Sequence, residues 1–191
     1  MHLPLKEAVQ LLRACDTKRW TIVAVTREQT VGEHHYRVWV LALSLYDSLM
    51  GGTPHNSFER QGVGDWALVH DADEIWTGDL PSPIKSILEE LSPGILKKLK
   101  DKVLSENLPT VAGSMRGIEG TFASQVVKIA ECVEAFTYYS AHSYNTRHRT
   151  EVLAYLNQQL WNSLSEGIRK YPSVPFGSAG HEWIDNAMKV L

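Results

Sequence analysis

Three things are scarce in this sequence. Cysteine occurs twice in 191 residues, at Cys15 and Cys132. Two thiols so far apart support neither a disulfide framework nor a cysteine zinc knuckle, and both read as small buried residues of a cytosolic chain. No run approaches the ~20 consecutive apolar residues of a membrane-spanning helix. The opening MHLPLKEAVQLLRACDTKRW mixes charges into its apolar residues and lacks a signal-peptide core. Nor does one sign of charge prevail: 19 Lys and Arg face 22 Asp and Glu, for a formal net charge of −3. That balance argues against a protein held on polymeric nucleic acid by phosphate contacts. It leaves room for a small anionic ligand, because a few local cations or a metal ion override a weak net charge.

What is present is the composition of a globular protein, 43% hydrophobic and 21% charged, in a length that suits one domain over 1–191. Its periodicity is nearly all helical. Leu5, Val9, Leu12 and Cys15 recur at steps of three and four, which predicts an amphipathic helix over 5–15. Residues 20–31 are rich in β-branched side chains and read as an extended connection. A long helix is expected over 31–49, with Val38, Leu41 and Leu45 on one face. Residues 50–64 read as a loop, and Asp65 as the N-cap or first-turn acid of a helix over 66–76. Further helices are expected from Ser82-Pro83, as short pieces over 94–100 and 101–107, from Phe122, over 149–169, and at the C-terminal end. Residues 108–121 read as a flexible region. The predicted fold is all-α, a compact bundle of six or seven helices.

Eight histidines invite a search for imidazole ligands. His34 falls in the first turn of the 31–49 helix with Val38 and Leu41 on its face, so it should point inward. His70 and Asp71 are adjacent, and Glu74 lies four and three residues further on, on the same side of a helix. Glu131 sits inside the apolar run VVKIAECVEAF, where an unpaired carboxylate is costly. Two imidazoles and two carboxylates make a mixed N/O set suited to a divalent transition ion. Taken singly, each has an ordinary explanation. His34 can be a core histidine, Glu131 can pair with Lys128, and Asp79 can be a turn residue before Leu80-Pro81. The basic run Lys97, Lys98, Lys100 and Lys102 reads as a solvated helix face. His2, His35, His55, His142, His148 and His181 take no role.

Together, Arg19-Trp20, QTVGEHHYRV, VHDADEIWTGDLPSPIK and VVKIAECVEAF resemble the HD-domain phosphohydrolases, in the branch of bacterial 5′-deoxynucleotidases and phage deoxynucleotide phosphohydrolases. The pieces fall in the family's order across residues 18–140. The resemblance implies an HD-domain helical bundle in which His34, His70, Asp71 and Glu131 ligate one divalent metal: Mn, Co, Zn or Fe, with Mg also admitted. Glu131 stands where the family usually has Asp. His35 follows His34 where a small polar residue is commoner, and should point elsewhere. Glu74 would orient or deprotonate the attacking water, and Arg19 would grip phosphate, with Lys85 as a second cation. Trp20 would wall the sugar against a 2′-hydroxyl, Asp79 would accept from the 3′-OH, and Ile22 and Pro83 would shape the base pocket. The implied activity is removal of the 5′-phosphate of 2′-deoxynucleotides, with monophosphates slightly ahead. The alternatives are release of triphosphate from a dNTP, dATP among them, and a nucleotide-binding protein without turnover. The aromatic-rich stretch FTYYSAHSYN and the resemblance together imply a homo-oligomer, in bacterial or infected-host cytoplasm, with no membrane partner.

Overall fold

The computed structural model describes residues 3–51 and 57–190. His2 and His55 therefore lie outside the described residues. In chain order the helices are α1 (Leu5–Leu11), α2 (Val31–Met50), α3 (Ser57–Ala67), α4 (Glu74–Thr77), α5 (Ser82–Leu91), α6 (Ile95–Asn107), α7 (Pro109–Ile118), α8 (Phe122–His142), α9 (Arg147–Lys170) and α10 (His181–Val190). A 3₁₀ turn follows α1 at Leu12–Cys15 and a π turn, Phe176–Gly180, precedes α10. The all-α expectation holds, with ten helices among the described residues rather than six or seven. The β pairing described is an isolated antiparallel bridge between Lys18 and Thr30.

The chain forms two compact units, each assembled from two separated stretches. The first takes Met1–His35 and Val69–Gly117, and the second Tyr36–Leu68 and Ile118–Leu191.

In the first unit a small apolar cluster of Ala14, Val31 and Ile75, backed by Leu11 and Trp76, joins the 3₁₀ turn to the start of α2 and to α4. Thr30 caps α2: its hydroxyl accepts the N–H of Glu33 at 3.1 Å, satisfying one of the first-turn donors. Gly32 is needed because a Cβ there would stand 2.9 Å from Cys15 Sγ. Cys15 is nevertheless exposed, not buried as its scarcity suggests, since its neighbour Ala14 takes the inward position.

The face predicted to bury α1 is the exposed one. Leu5, Val9 and Leu12 face outward, while Glu7 is buried. The reason is electrostatic. The Glu7 carboxylate accepts the N–H groups of Thr110 at 3.1 Å and Val111 at 3.2 Å, capping α7, and a carboxylate at a helix N-terminus is doubly favoured by hydrogen bonds and dipole. This cap, Pro109 at N1 and the burial of Val111, Ala112 and Met115 turn residues 109–118 into a helix despite Gly113 and Gly117. Residues Ile95–Asn107 likewise form one helix, not two pieces. Glu89 accepts the N–H groups of Gly94 at 2.7 Å and Leu96 at 3.0 Å, which defines the start of α6.

The second unit carries the larger core. Val38, Leu45, Tyr46, Val126, Val133, Leu160, Leu164 and Phe176 meet in it, drawn from α2, α8, α9 and the π turn. Helix α8 is apolar on most sides and correspondingly buried. Its polar Gln125 is satisfied by donating to the Ser163 carbonyl at 2.7 Å. Residues 57–64, expected in a loop, belong to α3 instead, and Asp65 lies inside that helix rather than capping the next. Gly64 lets α3 approach α2 closely, since a Cβ there would lie 3.0 Å from Trp39 Nε1.

Candidate metal centre

The segment predicted as one helix over 66–76 is not continuous. After α3 ends, Val69–Asp73 runs as successive tight turns, closed by Ala72 N–H to Val69 O at 3.0 Å and Glu74 N–H to Asp71 O at 3.0 Å. These i→i+3 bonds wind more tightly than an α-helix, and they swing His70 and Asp71 to one side. α4 is a single turn. Gly78, at φ 71°, ends it in a left-handed conformation suited to glycine, and Asp79 follows.

His34 is fully buried in the first turn of α2, and His70 and Glu74 are nearly so. His34 Nε2 and His70 Nε2 are 3.3 Å apart. Asp71 Oδ2 lies 3.3 Å from His70 Nε2 and 3.7 Å from His34 Nε2. Three donor atoms, all within 4.8 Å of one another, thus converge from two stretches of chain. Two nitrogens and one carboxylate oxygen are the donor chemistry of a borderline divalent transition ion, and a three-ligand set leaves positions open for substrate.

The electrostatics agree. Burial pushes the Asp71 carboxyl up, but His70, Lys100 and His34 outweigh it and hold it well below the usual carboxylate range. Glu74 moves the other way. Burial, and then the Asp71 charge, push it up to about 9 against the opposing pull of Lys85. Glu74 Oε1 lies 3.2 Å from Lys85 Nζ, while its buried Oε2 has no hydrogen-bond partner. Such a buried, unsatisfied oxygen is expensive unless a ligand fills it.

Lys85 therefore meets the catalytic candidate Glu74. Arg19 and Trp20 are brought to the same unit. The Trp20 N–H donates to Asp79 Oδ2 at 3.1 Å, and the Arg19 guanidinium sits 5.5 Å from the Trp20 ring centroid, a cation–π distance. Ile22 lies exposed in the turn that Val23 N–H closes on Trp20 O at 3.3 Å. Pro83 is exposed in the first turn of α5. Glu131 lies in the second unit, on α8, with one oxygen 3.1 Å from Lys128 Nζ.

Two expectations change. His35, expected to point elsewhere, is buried beside the pair, its ring centroid 5.0 Å from that of His70 and 6.1 Å from that of His34. Burial, followed by the neighbouring imidazoles, pushes its pKa well below the ordinary value. Lys100 leaves the solvated run, donating to the His70 carbonyl and lying 3.5 Å from Asp73. Lys97 and Lys102 keep the ordinary role, pairing along α6 with Asp101 and Glu106. Sequence reasoning thus misses Lys100, Asp73 and Gln29. The second Asp of HDAD was the one available signal.

Among solved structures, the cyanophage S-2L HD phosphohydrolase DatZ, bound to dA and one catalytic Zn2+ ion, matches with a TM-score of 0.75 at 25% identity, over 98% of this chain and 100% of that one. Fold and paired His-Asp geometry together define the class as an HD phosphohydrolase. The sequence model of the 5′-deoxynucleotidase YfbR-like family matches residues 9–138, and the chain belongs to that family. A dATP triphosphohydrolase of Cyanophage S-2L is 34% identical over 154 residues, covering 78% of this chain and 81% of that protein. A 5′-deoxynucleotidase of Photorhabdus laumondii is 32% identical over 99 residues, covering 48% and 47%.

Proposed function

We propose that this protein hydrolyses the 5′-phosphate ester of 2′-deoxynucleotides, using one divalent transition metal held by His34, His70 and Asp71. The observation that carries this reading is the convergence of those three donor atoms beside the unsatisfied Glu74 Oε2. Glu131 is kept as a further ligand on its place in VVKIAECVEAF alone. The ion supplies Lewis acidity toward the phosphoryl oxygen and makes water a better nucleophile.

The protein's own side chains do the rest. A divalent charge bound beside Glu74 would favour its ionised form; its Oε2 would then accept a hydrogen bond, then a proton, from the attacking water, while Lys85 holds Oε1 and so orients the carboxylate. Arg19 binds the phosphate oxygens by paired hydrogen bonds. Trp20 walls the sugar, and Asp79, fixed through the Trp20 N–H, offers its other oxygen to the 3′-OH. Ile22 and Pro83 border the base.

Triphosphate release is the second reading. The named dATP triphosphohydrolase of the cyanophage aligns over most of this chain, and the 5′-deoxynucleotidase over less than half of it. That weighs against the slight sequence-based preference for monophosphates. Self-association also belongs to the reading, and its support is surface chemistry. α1 and the 3₁₀ turn after it expose Leu5, Val9 and Leu12, and α5 exposes Ile84, Ile87 and Leu91, whereas Tyr138 and Tyr139 of the aromatic stretch are buried within the chain. Sedimentation velocity reports the assembly directly.

The test is incubation with Zn, Mn, Co or Mg and each deoxynucleoside mono- and triphosphate beside its ribonucleotide, with products resolved by chromatography. Deoxynucleoside released from deoxy substrates supports the reading, and the co-product, phosphate or triphosphate, decides between its two forms. No turnover with any metal, in protein shown to bind nucleotide, overturns the enzyme and leaves a binding protein.

A further inference from the structure

One fully buried polar side chain has no part in that chemistry. Gln29 is 0% exposed, in the connection before α2. Its side-chain oxygen accepts from Arg19 Nη1 at 3.2 Å and from the Trp20 indole Nε1 at 2.9 Å. Its backbone carbonyl accepts the Arg19 N–H at 2.8 Å. An amide oxygen has two lone pairs, and here each meets one of two consecutive residues of the proposed nucleotide site. Trp20 itself is strained, the one non-glycine residue with positive φ, 62°, among the described residues. A bulky side chain holds that conformation only where its surroundings over-determine it. Gln29 grips the indole end, and Asp79 grips the backbone N–H.

We infer that Gln29 is a positioning residue that sets Arg19 and Trp20 jointly, and that its neutrality is what leaves the Arg19 charge available to phosphate. A carboxylate at position 29 would accept the same two hydrogen bonds. It would also form a charge-assisted pair with the guanidinium, spending inside the protein the attraction otherwise offered to the substrate. The amide separates the two jobs: it fixes direction without cancelling charge. Because one atom holds both neighbours, phosphate affinity and discrimination against the 2′-hydroxyl are coupled through it. The inference rests on the proposed roles of Arg19 and Trp20.

The experiment compares wild type, Gln29→Leu and Gln29→Glu, each loaded with the same metal, using whichever of dAMP and dATP the wild type hydrolyses and its ribonucleotide counterpart. Metal content and Tm are recorded for each protein. In Gln29→Leu, KM should rise about tenfold and the deoxy-over-ribo preference in kcat/KM fall by a similar factor, with kcat changed far less. Gln29→Glu should keep the preference, since both hydrogen bonds survive, while KM rises. A folded Gln29→Leu protein with wild-type KM and preference overturns the inference, as does a loss confined to kcat. Should Gln29→Leu fail to fold, Gln29→Glu decides alone: raised KM with retained preference supports the inference, and unchanged KM overturns it. Wild-type protein indifferent to the 2′-hydroxyl overturns the proposed function itself and this inference with it. A discriminating wild type whose variants keep both its KM and its preference overturns only the inference.

Discussion

Glu74 is the residue on which most turns, and its substitution separates binding from chemistry. Glu74→Gln keeps the shape and leaves His34, His70 and Asp71 intact, so metal content should stay at the wild-type level while kcat falls about 10²–10⁴-fold. Elemental analysis beside steady-state kinetics checks both halves. The same carboxyl gives a pH signature in metal-free protein. Its pKa is about 9 folded against an ordinary 4.5, so the folded chain holds a proton that the unfolded chain releases. Stability contributed by that proton is full below about pH 4.5 and is lost as pH rises toward about 9. His35, shifted down from an ordinary 6.5, acts in the opposite sense only below that value. Above about pH 7, then, the Tm of metal-stripped protein should fall as pH rises, and Glu74→Gln should flatten the trend. Lys100→Met should weaken metal affinity about tenfold without removing a ligand, read by competition with a chromophoric chelator. Of these residues, His34, His70, Asp71 and Glu74 were singled out through the HDADE run and the family it resembles, since each taken singly has an ordinary explanation. Lys100 was not, since it acts on a backbone carbonyl 30 residues away, and no spacing rule records such a bond. His35 was misjudged because rotation about a helix places neighbours ~100° apart, and that does not decide which of two directions is buried.

At the scale of elements, periodicity served where one face is packed in the conventional way: α2, α8 and α9 lie close to where apolar spacing puts them. It failed where a distant group supplies what the local sequence lacks. Helix α7 contains two glycines and begins at proline, and locally it reads as coil. Its start is completed by Glu7. Glu7→Ala should therefore destabilise the protein by about 1–2 kcal/mol in urea titrations, and should speed hydrogen exchange at Thr110 and Val111 before other helices respond. Equal protection of those amides in wild type and variant would show that the cap contributes nothing. Helix α3 was hidden for a related reason. Gly62 and Gly64 look like breakers, yet Val63, Gly64 and Ala67 are buried, and Gly64 is the contact that lets two helices close on each other.

For the molecule as a whole, neither compact unit is contiguous in sequence, so no single cut of the chain releases one of them. No helix among the described residues is long and apolar enough to cross a membrane. Because the three convergent ligands, His34, His70 and Asp71, come from two stretches of the first unit, metal binding should be folding energy for that unit. Saturating metal should raise Tm in a concentration-dependent way, the stabilisation reaching about 2.7 kcal/mol at a hundredfold excess over Kd. Chelator should reverse the shift, and His70→Ala should abolish it. Differential scanning calorimetry across a metal series is the direct check.

The Glu7 cap carries a consequence in time. Its carboxylate and the N–H of Thr110 are 103 positions apart. A ribosome adding about 5–20 residues per second leaves that carboxylate waiting about 5–20 s for the amides it will cap. Until those amides are made, Glu7 is without the partner that justifies burying an acid. α1 is therefore secured only after α2 to α6 have been made.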